Sequence, residues 1–178
     1  MGLPALQGDH LPHGRWACTA ADVEAAFVTG QGPERAAIWQ DWLQALALLK
    51  RLVGTIPAAW LSGSFLSSKA VPGDIDSVFL VDLADLTAAH QSLPPEDWAI
   101  VEALAKGDGA KKMLGLNVDS FVLQWCPTST PEMNSPQEYY LLRGYWDDLW
   151  VRAKDPSDER LDAVPRRGYV EVMIDGYQ

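Results

Sequence analysis

Cysteine is scarce in this chain of 178 residues, which contains only Cys18 and Cys126. Two cysteines so far apart do not have the spacing of a zinc site, and they predict two reduced thiols in a cytosolic protein. The histidines at positions 10, 13 and 90 have no cysteine or carboxylate partner at metal-ligand spacing. We therefore expect neither a zinc centre nor a catalytic histidine.

Basic residues are also few. The chain has 14 Lys and Arg against 24 Asp and Glu, which gives a formal net charge of −10 at pH 7, and no run of Lys or Arg is longer than two residues. A protein that binds nucleic acid through its phosphates usually carries a basic face. We therefore expect no bulk nucleic-acid binding, although a local basic pocket stays compatible with this composition.

Long apolar runs are absent as well. The longest, residues 42–53, is interrupted by Gln44, Lys50 and Arg51, and it is too short to span a bilayer. The first residues have neither the charged region nor the apolar region of a secretory signal. These absences predict a soluble, cytoplasmic protein with no membrane partner.

The sequence does contain enough apolar residues for a buried core. Hydrophobic residues make up 48% of the chain and eight residues are tryptophan, which argues against disorder. The length is typical of one domain, so we predict a single domain over residues 1–178. Within it, residues 1–18 are expected to form an irregular N-terminal arm, because Gly and Pro recur there and apolar periodicity is weak.

Helical and strand patterns follow one another irregularly along the chain. Apolar residues recur at three- and four-residue steps over residues 34–53, which predicts a long core-facing helix that ends at Gly54. Short apolar or alternating segments predict strands at residues 58–61, 78–81, 116–123 and 168–174. Strands scattered among helices, without strict βαβ alternation, indicate an α+β fold in which helices pack against a small mixed β-sheet.

Residues 61–76 are the most informative segment for function. Gly63 and Ser64 follow one predicted strand, and Asp74 and Asp76 begin the next. Residues i and i+2 of a strand point to the same side, so the two carboxylates are expected to face one spot. Such crowding is costly without a cation, and Mg²⁺ favours one or two carboxylates together with phosphate oxygens. The segment therefore predicts a site for Mg²⁺ and a nucleoside triphosphate.

Gly63, Ser64 and Lys69, which precede the two aspartates, and one residue further downstream complete the predicted site. Gly63 would let the backbone approach a phosphate, and Ser64 would offer its hydroxyl to anionic oxygens. Lys69 has three open interpretations: contact with the triphosphate, pairing with one of the two aspartates in the empty site, or an exposed loop position. Asp119 is the candidate third carboxylate of a two-metal site, because its strand pattern places it on the opposite face from its apolar neighbours.

Together these residues resemble the nucleotidyltransferase-fold superfamily, the polymerase-beta-like group. The resemblance is carried by Gly63-Ser64, by Asp74-Ile75-Asp76 after nine intervening residues, and by the single Asp119 on a later strand. More closely, the chain is similar to a family of small, uncharacterised bacterial and phage proteins of that fold. That similarity adds Leu11-Pro12-His13-Gly14, Phe65, Lys69 and Pro72-Gly73.

The resemblance implies transfer of a nucleoside monophosphate from an NTP to a hydroxyl on a protein, a small molecule or a tRNA, with Mg²⁺ or Mn²⁺ as cofactor. The implied catalytic and metal-binding residues are Asp74, Asp76 and Asp119, and the implied nucleotide-binding residues are Gly63, Ser64 and Lys69. Small members of this superfamily also occur in toxin–antitoxin and phage-defence modules. A toxin or antitoxin is therefore an expected protein partner.

Two other functions stay open on the sequence. The fold can serve as a binding module with weak or no catalysis, such as an antitoxin, and strong acidity would suit a basic toxin. Paired aspartates also serve metal-dependent phosphohydrolases, although the histidine ligands usual in those enzymes are missing. The arginines at the C-terminal end, Arg152, Arg166 and Arg167, form either a local cationic patch or ordinary surface charges.

Overall fold

A six-stranded mixed sheet with six helices forms the part of the chain that the computed structural model describes, residues 2–126, 135–153 and 166–177. This architecture confirms the predicted α+β class. In these residues no helix is long and apolar enough to cross a membrane.

The described residues contain six helices, six strands and one short 3-10 helix. The helices are α1 (Ala20–Phe27), α2 (Pro33–Val53), α3 (Leu83–Ser92), α4 (Pro95–Leu104), α5 (Gly109–Leu114) and α6 (Ser135–Trp150). The strands are β1 (Gly14–Cys18), β2 (Ala58–Ser62), β3 (Ile75–Asp82), β4 (Lys106–Gly107), β5 (Val118–Trp125) and β6 (Gly168–Met173). A short 3-10 helix, Ser64–Leu66, connects β2 towards β3.

The sheet has the strand order β1-β6-β2-β3-β5-β4. The pairs β1–β6 and β3–β5 are parallel, and the remaining pairs are antiparallel. Because β2 runs opposite to both of its neighbours, β3 and β6 begin at the edge where β2 ends. The parallel strand β5 begins at the same edge.

The N-terminal arm is more regular than its composition predicts. Its last five residues form β1, which pairs with β6 from Gly14 opposite Gly168 to Cys18 opposite Val172. The prediction of an irregular arm over residues 1–18 is therefore wrong for this part. The strand is stabilised by a partner some 150 residues away in sequence, and the local pattern does not contain that partner.

One face of the sheet is covered by α1 to α5. The central element there is α2, whose buried residues recur with the helical period. Trp42 is fully buried, stacks on Trp39 with ring centroids 4.7 Å apart, and donates through Nε1 to Oγ of Ser77 at 3.1 Å. This contact joins α2 directly to β3.

The side chains of β3 alternate between the two faces. Ile75, Phe79 and Val81 belong to the core on the side of α2, which we call the α2 face. Val78 and Leu80 belong to a second core cluster beneath α6, on what we call the α6 face. By the same alternation, Asp76 lies on the α6 face.

The core on the α6 face is mainly aromatic. Trp60 and Tyr169 lie with ring centroids 5.5 Å apart, and Phe121 packs against Trp146 of α6 at 4.5 Å. The buried carboxylate of Glu171 accepts a hydrogen bond from Nε1 of Trp60 at 2.9 Å. In the described residues α6 is the helix that covers this face, and large aromatic rings surround the Glu171 carboxylate.

Candidate functional site

Two of the predicted site residues, Asp76 and Asp119, lie side by side at the edge where β2 ends and β3 and β5 begin. Ser62 lies opposite Asp76, and Asp76 lies opposite Asp119, in register across three neighbouring strands. Residues in register point to the same face of a sheet, so all three side chains lie on the α6 face. Val118, the neighbour of Asp119, is buried in the core of the α2 face. Asp119 thus lies beside Asp76 and on the same side.

Gly63 makes the room that the Asp76 carboxylate occupies. Its φ is +81°, a conformation that favours glycine, and a Cβ built on it would lie 1.6 Å from Oδ2 of Asp76. The sequence pattern suggests this glycine for close approach of a phosphate. The structure gives an additional reason, which is the close approach of a carboxylate from β3.

The carboxylates at this edge disfavour one another's charged forms. The pKa of Asp76 is raised to about 6, chiefly by burial and then by the charge of Asp74, with Asp119 adding to it. Arg167 acts in the opposite direction. The pKa of Asp119 is raised as well, first by burial and then by Asp74. A cation bound here would relieve this repulsion.

Asp74 lies just before β3 and not within it. The i, i+2 rule therefore does not orient its side chain, which departs from the prediction that strand geometry aligns it with Asp76. Its Oδ2 lies 3.9 Å from Nζ of Lys111 in α5. In the described residues Lys69 makes no ion pair with Asp74 or Asp76. A different lysine, Lys111, lies near the Asp74 carboxylate, where the sequence suggested Lys69.

The donor set suits a hard divalent cation, although its members do not converge. In the three described stretches of the chain, no group of three or more His, Cys, Asp or Glu side chains is arranged to hold a metal ion. The adjacent pair of Asp76 and Asp119 supplies carboxylate oxygens alone, which Mg²⁺ and Mn²⁺ prefer. Mg²⁺ commonly completes its shell with water and substrate phosphate oxygens.

The loop that follows β2 is held from behind by a buried guanidinium. Arg35 of α2 is 3% exposed, and its Nη1 donates to the carbonyl oxygens of Phe65 at 2.7 Å and Phe27 at 3.1 Å. Its Nη2 donates to the carbonyl oxygens of Ser67 at 2.9 Å and Lys69 at 2.7 Å. Sequence reasoning missed this residue, because an arginine in a helical pattern resembles an ordinary surface charge.

A cavity of about 620 Å³ opens beside Asp76, whereas Asp74 and Asp119 are not part of its lining. This volume is within the range of small-molecule sites, roughly 300–1,000 Å³. Several distant parts of the chain contribute to its lining. They include Asp9 and His10 of the N-terminal arm, Gly63, Ser64 and Lys69 of the loop, Asp76 of β3, Trp150 and Arg152 at the end of α6, and Arg167 before β6.

The N-terminal arm takes part in this cavity and braces the loop. Ser68 donates through its backbone N–H to the carbonyl oxygen of Asp9 at 3.1 Å and through its hydroxyl to the Asp9 carboxylate. His10 forms an isolated bridge with Ser67. No pattern in the sequence indicates these contacts, since they join residues almost sixty positions apart.

Two of the three C-terminal arginines line the cavity. Arg152 and Arg167 contribute to its wall, whereas Arg166 lies outside it with Nη1 at 3.7 Å from Oδ1 of Asp148. The two sequence interpretations therefore apply to different members of the set. Arg166 is a surface charge, and the other two add positive charge beside Asp76.

The fold and the site define an α+β domain with paired carboxylates at the edge of its sheet, next to a cavity. The chain belongs to the family of unknown function DUF6932, whose model matches residues 4–173. The match includes all six strands and every residue of the predicted site. No curated protein and no solved structure matches the chain.

Proposed function

We propose that this protein is a Mg²⁺- or Mn²⁺-dependent nucleotidyltransferase that moves a nucleoside monophosphate from an NTP to a hydroxyl acceptor. The observation that carries this proposal is the position of Asp76 and Asp119, side by side on parallel strands, with Asp76 against Gly63 in the wall of the cavity. The class of substrate rests on the resemblance of the Gly63-to-Asp76 segment to that superfamily.

The metal would be held by Asp76 and Asp119, with Asp74 adjoining. The raised pKa of Asp76 and Asp119 supports this, because burial and then the nearby Asp74 carboxylate disfavour the charged forms, which a bound cation would stabilise. When bound, the metal would supply positive charge to the phosphate oxygens and to the attacking oxygen. Two adjacent carboxylates are also the number that Mg²⁺ commonly takes from a protein when phosphates supply other ligands.

In the proposed reaction the acceptor oxygen forms a bond to the α-phosphorus of the NTP. The bond from that phosphorus to the oxygen bridging to the β-phosphate breaks, and pyrophosphate leaves with the electron pair. Asp119, whose pKa is raised, would help remove the proton of the acceptor hydroxyl. Gly63, Ser64 and Lys69 line the cavity and would bind the β- and γ-phosphates.

The acceptor and the setting are part of the same proposal. The net charge of −10 favours a protein or a small molecule over bulk nucleic acid, and a tRNA end stays a candidate because bound metal adds positive charge locally. We place the protein in the cytoplasm, where NTPs and Mg²⁺ are supplied. A toxin or antitoxin is the proposed protein partner, by resemblance to the small members of the superfamily.

A second candidate function is a binding module with weak or no catalysis. It is favoured by the position of Lys111, whose ammonium group lies 3.9 Å from the Asp74 carboxylate. A carboxylate that is already neutralised by a lysine of its own chain is a poorer metal ligand. In this case the edge would retain the geometry of a nucleotide site and use it for recognition alone.

Transfer of labelled NMP tests these functions. The purified protein is incubated with each of the four α-labelled NTPs, Mg²⁺ or Mn²⁺, and a cell lysate as acceptor. We expect label transfer by the wild type and a loss of roughly 10²–10³-fold in Asp76→Asn, since one charge-stabilising group is removed. Glu24→Gln, an exposed acid of α1, removes the same charge far from the edge and should leave transfer unchanged.

The outcomes separate the candidates. Metal-dependent NTP binding without transfer would favour the binding module. Release of free phosphate without transfer would favour a phosphohydrolase. Absence of both transfer and metal-dependent NTP binding in the wild type would refute the nucleotidyltransferase, as would equal activity in Asp76→Asn and the wild type.

A further inference from the structure

We propose that Arg167 binds phosphate oxygens of the polyphosphate tail of a nucleotide in the cavity beside Asp76. The inference deepens the proposed function and rests on it for the identity of the ligand. Arg167 belongs to no motif of the sequence. Its assignment comes from the place that the tertiary structure gives it.

The backbone holds Arg167 firmly between two other parts of the chain. Its N–H donates to the carbonyl oxygen of Val151 at 2.9 Å, just after α6, and the N–H of Gly168 donates to the carbonyl oxygen of Leu11 at 2.9 Å. A Cβ at position 168 would lie 2.1 Å from the carbonyl oxygen of Pro12, so only glycine fits there. The backbone at Arg167 is therefore a fixed point from which the guanidinium extends.

That fixed point lies at the same edge as the carboxylates. In the β2–β6 pair Leu61 lies opposite Val170, so the start of β6, which Arg167 directly precedes, lies at the end of β2. On the other side of β2, Asp76 approaches the same end of the strand. Arg167 and Asp76 thus flank the loop that begins at Gly63, and both line the cavity.

The guanidinium of Arg167 has donors to spare. Its Nε donates to the carbonyl oxygen of Trp150 at 3.3 Å, and over the described stretches of the chain this is the one hydrogen bond of its side chain. In those stretches no carboxylate lies within 4.0 Å of it. Arg152 differs, because its Nε donates to Asp148 at 2.8 Å. An arginine carries five N–H donors in a planar fork that matches phosphate oxygens.

Cations and carboxylates are nearly balanced around Arg167, in a chain whose net charge is −10. Lys69 and Arg152 share the cavity wall with it, Arg152 is paired with Asp148, and the carboxylates of that wall are Asp9 and Asp76. Burial lowers the pKa of Arg167 by disfavouring its charged form, and a bound phosphate would offset that cost with charge-assisted hydrogen bonds.

Calorimetric titration of the full chain tests the inference. The probes are inorganic tripolyphosphate, ATP and AMP, each measured once in EDTA and once with Mg²⁺. We expect Arg167→Gln to weaken binding of tripolyphosphate and of ATP by roughly tenfold or more, because one charged donor pair is lost. Arg166→Gln removes the same charge at the neighbouring position outside the cavity and should change the affinity by less than about threefold.

A conservative variant and a check on folding keep the result interpretable. Arg167→Lys retains the charge and the aliphatic stem but loses the fork, so its affinity should fall between those of the wild type and Arg167→Gln. Thermal unfolding of each variant shows whether it is folded. If Arg167→Gln is unfolded, the comparison between Arg167→Lys and the wild type decides the question.

Failure of the inference and failure of the proposed function look different. Tripolyphosphate binding that depends on Arg167, in a protein that transfers no nucleotide, supports the inference and counts against the enzyme. Unchanged affinity in Arg167→Gln, or equal losses in Arg166→Gln and Arg167→Gln, overturns the inference even if transfer is active. An effect on AMP as large as that on ATP overturns the assignment to the polyphosphate tail.

Discussion

The two faces of the sheet are covered very differently. Five helices pack on the α2 face, where a large continuous core contains Trp42, Phe79 and Val81. Within residues 2–126, 135–153 and 166–177, a single helix covers the α6 face, and the core there is smaller and mainly aromatic. The α2 face therefore provides most of the apolar burial, whereas the cavity opens at the edge of the α6 face.

Charged groups on the two faces also differ in how their charge is stabilised. On the α2 face the Arg35 guanidinium is buried but donates to four carbonyl oxygens, so its hydrogen bonds are satisfied within the protein. On the α6 face Asp76 has a carboxylate neighbour on the next strand, and its pKa is raised. The closed face thus satisfies its charge internally, whereas the open edge holds a charge that a ligand would stabilise.

The largest expected effect tests the difference in packing. Trp42→Ala removes a fully buried ring that stacks on Trp39 and donates to Ser77, so it should cost about 3–5 kcal/mol of unfolding free energy. Trp146→Ala on the α6 face removes the same side chain from a half-buried position and should cost about half as much. Urea denaturation measures both. Equal costs would show that the two faces contribute alike.

The next effect concerns the charge at the open edge. The pKa of Asp76 is raised from 3.8 to about 6, so the folded state binds a proton more tightly than the unfolded state. Stability from this group is present below pH 4 and is lost as the pH rises through about 6. In EDTA, the free energy of unfolding of Asp76→Asn, relative to that of the wild type, should therefore rise by about 2 kcal/mol from pH 4 to pH 8.

Urea denaturation at four or five pH values in that window measures this gain. The control is Glu24→Gln, which removes an exposed acid and should show the pH profile of the wild type. Parallel profiles for Asp76→Asn and the wild type would contradict a raised pKa at Asp76.

The smallest effect isolates the contact between Gly63 and Asp76. Gly30 also has a positive φ, of +74°, but a Cβ there would meet nothing within 4 Å. Gly30→Ala should therefore cost only the backbone strain, about 1 kcal/mol, and Gly63→Ala about 1–2 kcal/mol more because its methyl group overlaps the Asp76 carboxylate. Unfolding free energies from urea denaturation compare the two.

A rescue experiment completes this comparison. Asp76→Ala removes the carboxylate that the new methyl group would meet, so it should restore part of the stability lost in Gly63→Ala. If the two substitutions are simply additive, the excess cost at position 63 has another origin.

Local pattern predicts most of the elements of the fold. The strands expected at residues 58–61, 78–81, 116–123 and 168–174 correspond to β2, β3, β5 and β6, with bounds shifted by up to three residues. The long helix over residues 34–53 is α2, and Gly54 follows it. These elements could be predicted because periodicity and helix-ending residues act within a few positions along the chain.

The parts that could not be predicted all depend on distant partners. β1 forms because it pairs with β6. Arg35 is tolerated in the core because it donates to carbonyl oxygens of a loop some thirty residues later. Asp74 departs from the expected alignment because regular pairing of β3 begins one residue after it. No local pattern encodes such contacts, since the residues involved become neighbours only when the strands pair.

The sequence by itself determined the α+β class and the candidate aspartates, because carboxylates next to apolar strands are visible as a local pattern. It also determined the low basic content that argues against bulk nucleic-acid binding. Only the tertiary structure decided that Asp119 lies opposite Asp76 and that Arg167 and Asp76 line the same cavity. Strand register and the meeting of two chain segments are non-local properties, so they exist only once the sheet has formed.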